Sequence, residues 1–207
     1  MVRSLVQTKE GEVPETLLQL LPATLRHEQA RLQLALPTLQ SDVSARLPYA
    51  ALLPWDEAKS IVGEFLNHPD PSTRSIALGT LAKTVRFCRK HMSDLLGMLV
   101  QRKNEQDPIR EVFFTELAAL PPSAFEQEHL AQVELLLQQA FQAADLSYGT
   151  SEKIETLVIR LFPRFPHFSV AWLVRLAKER GQLSGFSIEH KISDENMEQL
   201  APHLLPL

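Results

Sequence analysis

The chain has 207 residues, 44% of them hydrophobic, and a formal net charge of −4. This length and apolar fraction suffice for a buried core, so intrinsic disorder is excluded as the default, and the small charge does not indicate a polyanionic or polycationic partner. The single cysteine, Cys88, excludes an internal disulfide framework and a thiolate zinc cluster.

The sequence carries no mark of export or membrane insertion. Its first ten residues have no apolar core of the kind found in signal peptides, and no run of about 18 apolar residues occurs. We therefore expect a cytoplasmic protein that does not contact a membrane. Leucine is abundant and no segment alternates strictly between apolar and polar residues, so the sequence predicts an all-α fold.

The N-terminal part predicts a loose start and then short helices. Residues 1–13 are polar, and the stretch 14–54 is interrupted repeatedly by proline. One short helix is expected over 25–36, ended by Pro37, and Asp42 is placed to cap the next helix. Because prolines shorten or bend helices, we interpret 14–54 as an atypical capping repeat of the kind that helical arrays need at their ends.

The clearest pair of helices follows. Apolar residues recur at steps of three and four over Trp55–Asn67, which predicts an amphipathic helix that ends before Pro69. Asp70 can accept hydrogen bonds from the free N–H groups of the next helix, and Pro71 fits its first position. That second helix is expected to continue to about His91, antiparallel to the first.

The turn between these two helices has a distinctive pattern. It reads His68-Pro69-Asp70-Pro71-Ser72-Thr73-Arg74. This turn resembles that of a HEAT repeat, which reads roughly Asp-Pro-Asp-Pro-x-Val-Arg and leads into a helix of small residues. Here Thr73 replaces the usual Val, and His68 replaces the first Asp. In that family the positions of Asp70 and Arg74 belong to a ladder of charges that commonly pair between neighbouring repeats.

A second copy of the pattern lies further along the chain. Asp107 follows Asp70 after 37 residues, close to the helix-pair repeat of about 40, and Arg110 echoes Arg74 one residue closer to its acid. The resemblance implies an α-α superhelix, a right-handed solenoid of antiparallel helix pairs with about 4–5 repeats. A non-repetitive helical bundle with two chance Asp-Pro turns is the alternative.

The predicted single domain spans residues 1–207 and falls into several segments after the capping repeat. The clearest HEAT-like repeats are 55–91 and 92–120. Degenerate repeats are expected over 123–181, and 182–207 forms a tail with a short helix.

Within the degenerate repeats, the plainest helical pattern covers 128–144 and is expected to end in a left-handed turn at Gly149. The following helices are expected over 150–162 and 169–179. The segment 185–192 has the composition of a short extended stretch.

No motif in the sequence predicts catalysis or a bound cofactor or metal. The seven glycines are scattered singly, so there is no phosphate-binding loop, and no Gly-x-Ser-x-Gly elbow occurs. The seven histidines do not occur at metal-ligand spacing such as His-Glu-x-x-His. We therefore favour a protein that is not an enzyme.

One charge pattern predicts a binding surface. Between Arg74 and Lys103 there are seven Lys or Arg residues and one acid, Asp94. The candidate partner-binding residues are Lys83, Arg86, Lys90, Arg102 and Lys103. The first three step by three and four, so they are expected on one helix face, which the resemblance places on the concave side of the array. Such a stripe could hold an acidic peptide or a nucleic-acid backbone, and ordinary solvated charge is the alternative.

The sequence thus predicts a non-catalytic scaffold that binds a partner protein on the concave face of a HEAT-like solenoid. An alternative is a nucleic-acid-binding protein or a HEAT-like glycosylase of alkylated purines in DNA, with Trp55, Tyr148 and Trp172 as candidate stacking aromatics. Against it, residues 121–207 carry 11 acids and 7 Lys or Arg, whereas such enzymes are expected to be basic. A lyase or chaperone of phycobiliproteins, whose family uses similar repeats, is a third interpretation. The oligomeric state stays open.

Overall fold

The computed structural model describes residues 11–180, 183 and 194–204. Every regular element in these residues is helical, so the predicted all-α class is confirmed for them. The chain divides into two compact units, 1–91 and 92–207. The single domain, the solenoid arrangement and its handedness stay predictions. The extended segment expected at 185–192 and most of the loose N-terminus lie outside the described residues.

The first unit is built from short helices followed by one longer helix. They are α1 (Glu15–Leu18), α2 (Ala23–Leu34), α3 (Pro37–Gln40), α4 (Val43–Ala50), α5 (Trp55–Gly63) and α6 (Pro71–Val85), with a 3-10 turn at Arg89–His91. Helix α4 contacts α2, α3, α5 and α6, and α5 also packs against α6. The prolines predicted short helices here, and Pro48 lies inside α4 itself.

The predicted helix starts in this unit are confirmed in detail. The Asp42 carboxylate accepts the N–H groups of Ser44 and Ala45 at the start of α4. Asp70 caps α6 in the same way, and Pro71 occupies the first helical position. Both acids satisfy backbone donors that have no partner within their own helix.

The end of α6 differs from the sequence prediction. The helix was expected to run to about His91, which is wrong, because it ends at Val85. Just beyond that end, Phe87 packs against the apolar core of α1–α4, and the guanidinium of Arg26 lies 4.0 Å from the centre of its ring. The periodicity of α6 itself carries no sign of this contact, so the early end is a tertiary effect.

The second unit contains longer helices. They are α7 (Met92–Val100), α8 (Asp107–Ala119), α9 (Leu130–Gln142), α10 (Tyr148–Leu161), α11 (Pro166–Arg180) and α12 (Asp194–Leu204), with 3-10 turns at Pro122–Ala124 and Gln127–His129. Helix α7 packs against α9, and α8 packs closely against α10, which also contacts α11. Alternate helices of the chain are therefore neighbours in this unit.

The turn before α10 also differs from the prediction. Gly149 was expected in a left-handed turn, but it lies inside the first turn of α10, and Gly11 is the only described glycine with a positive φ, at 86°. The reason is a cap that the sequence interpretation missed. The Ser147 hydroxyl accepts the N–H of Thr150 at 3.1 Å, so the helix begins at Tyr148.

Candidate functional site

The turn before α6 is held by its own side chains. The Asp70 carboxylate accepts the N–H of Thr73 at 2.9 Å and its hydroxyl at 2.8 Å. Arg74 donates to the carbonyl oxygens of His68 and Pro69 at 2.8 and 3.0 Å. The Thr73 hydroxyl, together with the backbone N–H groups, holds the pKa of Asp70 below its ordinary value. These contacts shape the turn, and the ladder role of Asp70 and Arg74 stays a prediction.

The second predicted pair is part of a larger, buried cluster. Asp107 and Arg110 are both buried, and the Arg110 guanidinium lies 3.3 Å from the Asp107 carboxylate. Arg110 also pairs with Asp145 and donates to the carbonyl of Glu105. Asp145 completes the cluster by accepting the backbone N–H of Asp107 at 3.1 Å. Asp145 therefore binds both a side chain and a backbone N–H group of the first turn of α8.

Asp145 lies in the connection between α9 and α10, so this cluster joins that connection to the start of α8. The sequence interpretation did not single it out. A signal was present, because Asp145 follows Asp107 after 38 residues, almost the same interval as that from Asp70 to Asp107. The Arg110 guanidinium and then the Asp107 N–H hold the pKa of Asp145 below its ordinary value.

A close approach of α8 and α10 accompanies this cluster. The Thr150 hydroxyl donates to the Asp107 carbonyl at 3.4 Å. A Cβ added to Gly149 would lie 3.1 Å from both carboxylate oxygens of Glu111. The glycine thus gives Glu111 room near the N-terminus of α10, where a negative charge is favourable.

The candidate cations of the first unit do not share one helix face. Lys83 is exposed on α6, whereas Lys90 lies on the 3-10 turn beyond the end of that helix. Arg86 follows directly after α6, and its guanidinium lies 3.4 Å from the side-chain oxygen of Gln19. The predicted continuous stripe of Lys83, Arg86 and Lys90 is therefore wrong as helix geometry, although the residues remain candidate contacts.

The other two candidate cations belong to the second unit. Arg102 pairs with Glu105 at 2.9 Å, and both side chains are largely buried. Lys103 is exposed in the turn after α7. An arginine that is already matched by an acid offers less charge to a partner than the sequence count suggests.

Two of the three candidate stacking aromatics are part of the core. Trp55 is 3% exposed, and its ring stacks on His91 with the ring centres 5.3 Å apart. Trp172 is equally buried, and its indole N–H donates to Glu134. Tyr148 is exposed, and the Arg180 guanidinium lies 4.7 Å from its ring centre.

Exposed leucines lie on the first two helices. Leu18 and Leu34 enter the core of the first unit. On the other sides of the same segment, exposure is 79% for Leu20, 49% for Leu25 and 52% for Leu32, and Leu17 is also exposed. Leu25 and Leu32 are seven residues apart on α2, so they share one face. The sequence interpretation missed this surface, although apolar residues on both sides of α2 were visible in its pattern.

Two classes of site receive no support from the described residues. No three His, Cys, Asp or Glu side chains among residues 11–180, 183 and 194–204 are grouped so as to hold a metal ion. In the same part of the chain, no helix has the length and hydropathy needed to cross a bilayer.

Comparison of the chain with protein-family models, with curated proteins and with solved structures gives no match.

Proposed function

We propose that the chain is a non-catalytic, protein-binding module of HEAT-like helix pairs. It contacts its partner through the leucine surface, which consists of Leu17, Leu20, Leu25 and Leu32. The proposal keeps the predicted scaffold function and moves the main contact from the cations to this surface. A cytoplasmic location is part of the proposal.

The helix-pair part of the proposal is supported by the second unit. In this unit α7 packs against α9, and α8 packs against α10. Stacked helix pairs require this arrangement, because each pair covers the apolar face of the next. The Arg110–Asp145 ion pair joins the start of α8 to the connection before α10, and the ladder charges of HEAT repeats likewise pair between neighbouring repeats.

The leucine surface is the single observation that carries the binding function. Single exposed leucines are ordinary on protein surfaces. Here four of them lie within 16 residues of the chain, and Leu20 is almost fully exposed. Several exposed apolar side chains in one short segment of a globular protein favour an interaction site. Removing them from water on binding supplies a favourable free energy that solvated lysines do not supply.

The partner is expected to present an amphipathic helix. Leu25 and Leu32 form a ridge along α2, and such ridges pack into the grooves between the side chains of a second helix. Polar residues flank this ridge, namely exposed Glu28 and the ion pair of Arg31 with Glu57 at 2.6 Å. Charged rims around an apolar centre are usual for protein interfaces.

The test is affinity capture from the native cell with the Leu25→Ser/Leu32→Ser variant. We expect recovery of specific partners to fall roughly tenfold or more, as for loss of two interface anchors. Leu135→Ser is the matched control, since Leu135 is an exposed leucine on α9, outside the leucine surface. Unchanged recovery with the double variant would contradict the proposal. The proposal would also be contradicted if partners were lost only in the Lys83→Glu/Lys90→Glu variant, because the cations would then be the main contact.

A nucleic-acid function is less well supported. Trp55 and Trp172 are buried and cannot stack on bases, and Arg102 is paired with an acid. Binding of a fluorescent DNA duplex at about 50 mM salt, weakening steeply as salt rises, would favour that function over protein binding.

A further inference from the structure

A cavity of about 270 Å³ opens at the N-terminus of α10, in the second unit. It is lined by Leu146, Ser147, Tyr148, Ser151 and Arg180. This volume is slightly smaller than the roughly 300 Å³ lower limit for pockets that hold drug-sized ligands. The cavity can therefore take one small group or the end of a longer molecule.

One wall of the cavity holds a buried hydroxyl without a partner. Ser151 is 4% exposed, and its Oγ makes no hydrogen bond with any described residue. Leaving a buried polar group unsatisfied costs free energy, so such groups are rare and need an explanation. A ligand in the cavity would provide the missing partner.

Arg180, which also lines the cavity, uses only one of its two terminal guanidinium nitrogens in a hydrogen bond with a described residue. Arg180 donates through Nη1 to Glu155 at 2.9 Å, and Glu155 is fully buried. The other terminal nitrogen, Nη2, is buried and has no partner among the described residues. The guanidinium is held between Glu155 and the Tyr148 ring, so its free N–H groups are fixed in place before any ligand arrives.

Three of the lining residues, Ser147, Tyr148 and Ser151, belong to the start of a 14-residue helix or to its cap. Ser147 accepts the N–H groups of Thr150 through its side chain and of Ser151 through its carbonyl. The N–H groups of Tyr148 and Gly149 precede the first intrahelical bond and have no described acceptor. Backbone donors and the helix dipole both favour an anion at this end.

From this geometry we propose that the cavity binds a carboxylate group. The Ser151 hydroxyl, Arg180 Nη2 and the helix N-terminus donate to its oxygens, and Leu146 with the Tyr148 ring packs against an apolar group attached to it. The carboxylates of Glu111, Asp145 and Glu155 lie in the neighbouring turn and helices, and they oppose a second negative charge. A singly charged carboxylate therefore fits better than a doubly charged phosphate. This inference is independent of the proposed protein-binding function.

The experiment follows the backbone amide signals of the full-length protein by NMR at constant ionic strength. Sodium butyrate is expected to shift the Tyr148 and Gly149 amides saturably, while uncharged butyramide does not and inorganic phosphate binds more weakly. No saturable shift up to about 50 mM butyrate would overturn the proposal, because one charge-assisted site of this kind should reach millimolar affinity. Tighter binding of phosphate than of butyrate would overturn the choice of carboxylate.

A further arm separates a peptide terminus from a free small acid. Acetyl-Ala-Leu with a free C-terminal carboxylate is compared with its C-terminal amide. Binding of the free acid more tightly than butyrate assigns the cavity to a peptide terminus, and weaker binding assigns it to a small carboxylic acid. Equal shifts from the acid and the amide would overturn carboxylate recognition.

Two variants localise the effect. Ser151→Ala should weaken butyrate binding about 3–10-fold, the loss of one hydrogen bond. Ser169→Ala is its matched control, since Ser169 is also buried with an unpartnered Oγ but does not line the cavity. Arg180→Lys keeps a cation for Glu155, so the fold is retained, but it loses the fixed guanidinium donors and should also weaken binding. Equal affinity in the Ser151→Ala and Ser169→Ala variants would place the bound butyrate elsewhere.

Discussion

Arg110 is a buried charge that is matched by two acids. Its guanidinium is buried beside the buried Asp107, and it forms a second ion pair with the more exposed Asp145. A buried charge must be matched, because leaving one member unpaired costs several kcal/mol. Arg110 is therefore expected to be necessary for the fold of the second unit.

We expect Arg110→Gln to lower the free energy of unfolding by about 2–3 kcal/mol, because Asp107 then loses its cation in a buried site. Asp145→Asn should cost about 1 kcal/mol or less, since that side chain is half exposed to water. Urea unfolding measures both. The exposed pair of Arg31 with Glu57 supplies the control, and an Arg31→Gln effect as large as that of Arg110→Gln would contradict this argument.

The Asp145 ion pair also predicts a pH dependence. Because Arg110 lowers the folded pKa of Asp145, its stabilisation is complete above the unfolded value of about 3.9 and is lost as pH falls through the lower folded value. The difference in stability between wild type and Asp145→Asn should therefore vanish in strong acid. A difference that stays constant from neutral pH to about pH 2 would show that the charge is not involved.

Among the helices, the N-terminal ends are explained most directly by the sequence, because nearby side chains cap them. Asp70 caps α6 by accepting the N–H groups of Ser72 and Thr73 and the Thr73 hydroxyl. Because this cap depends on side-chain oxygens, asparagine should replace aspartate with little change in geometry, whereas alanine should not.

We expect Asp70→Ala to lower the melting temperature at neutral pH and Asp70→Asn to lower it less. The folded pKa of Asp70 is lowered, so its charge contributes above the ordinary aspartate pKa and the contribution is lost as pH falls through the lower value. Wild type and Asp70→Asn should then converge in acid. Circular dichroism melts at several pH values measure this, and equal melting of Asp70→Ala and wild type would contradict the cap.

Gly63 and Gly149 both lie in helices but differ in the space that is free for a Cβ atom. A Cβ at Gly63, at the end of α5, would meet no atom within 4 Å, whereas at Gly149 it would meet the Glu111 carboxylate at 3.1 Å. Gly63→Ala is expected to stabilise by about 0.5–1 kcal/mol, because alanine loses less conformational freedom in a helix. Gly149→Ala should gain less or lose stability, since Glu111 must shift between two closely packed helices. Equal gains in chemical unfolding would show that Glu111 moves freely.

At the scale of the whole molecule, each unit has its own set of buried apolar side chains. Leu47, Leu52 and Leu81 are fully buried in the first, and Phe114 and Phe125 in the second. Chains of about 90 residues can bury enough surface to fold. We therefore expect residues 1–91 and 92–207, expressed separately, each to unfold cooperatively on heating. A fragment with helical circular dichroism but no cooperative transition would show that its core is incomplete without the rest of the chain.

Contacts between residues close in the chain could be predicted from the sequence, whereas contacts between distant helices could not. The caps at Asp42 and Asp70 were predicted, because they depend on residues two or three positions away. The end of α5 was predicted wrongly: the helix was expected to reach Asn67 before Pro69, but it ends at Gly63. The end of α6 was also predicted wrongly, because Phe87, just beyond it, packs against an apolar cluster that extends from Leu18 to Ala58, far away in the chain. The prediction that Lys83 and Lys90 share one helix face was wrong for the same reason, since Lys90 lies beyond the end of α6.

Local patterns in the chain were enough to predict the helical class and most of the helix starts. The fold was needed to show that Asp145 pairs with Arg110, that Trp55 and Trp172 are buried, and that leucines within 17–32 remain exposed. The physical reason is the range of the interactions. Backbone propensity and capping act within one helical turn, whereas burial and ion pairing depend on which distant helices come into contact.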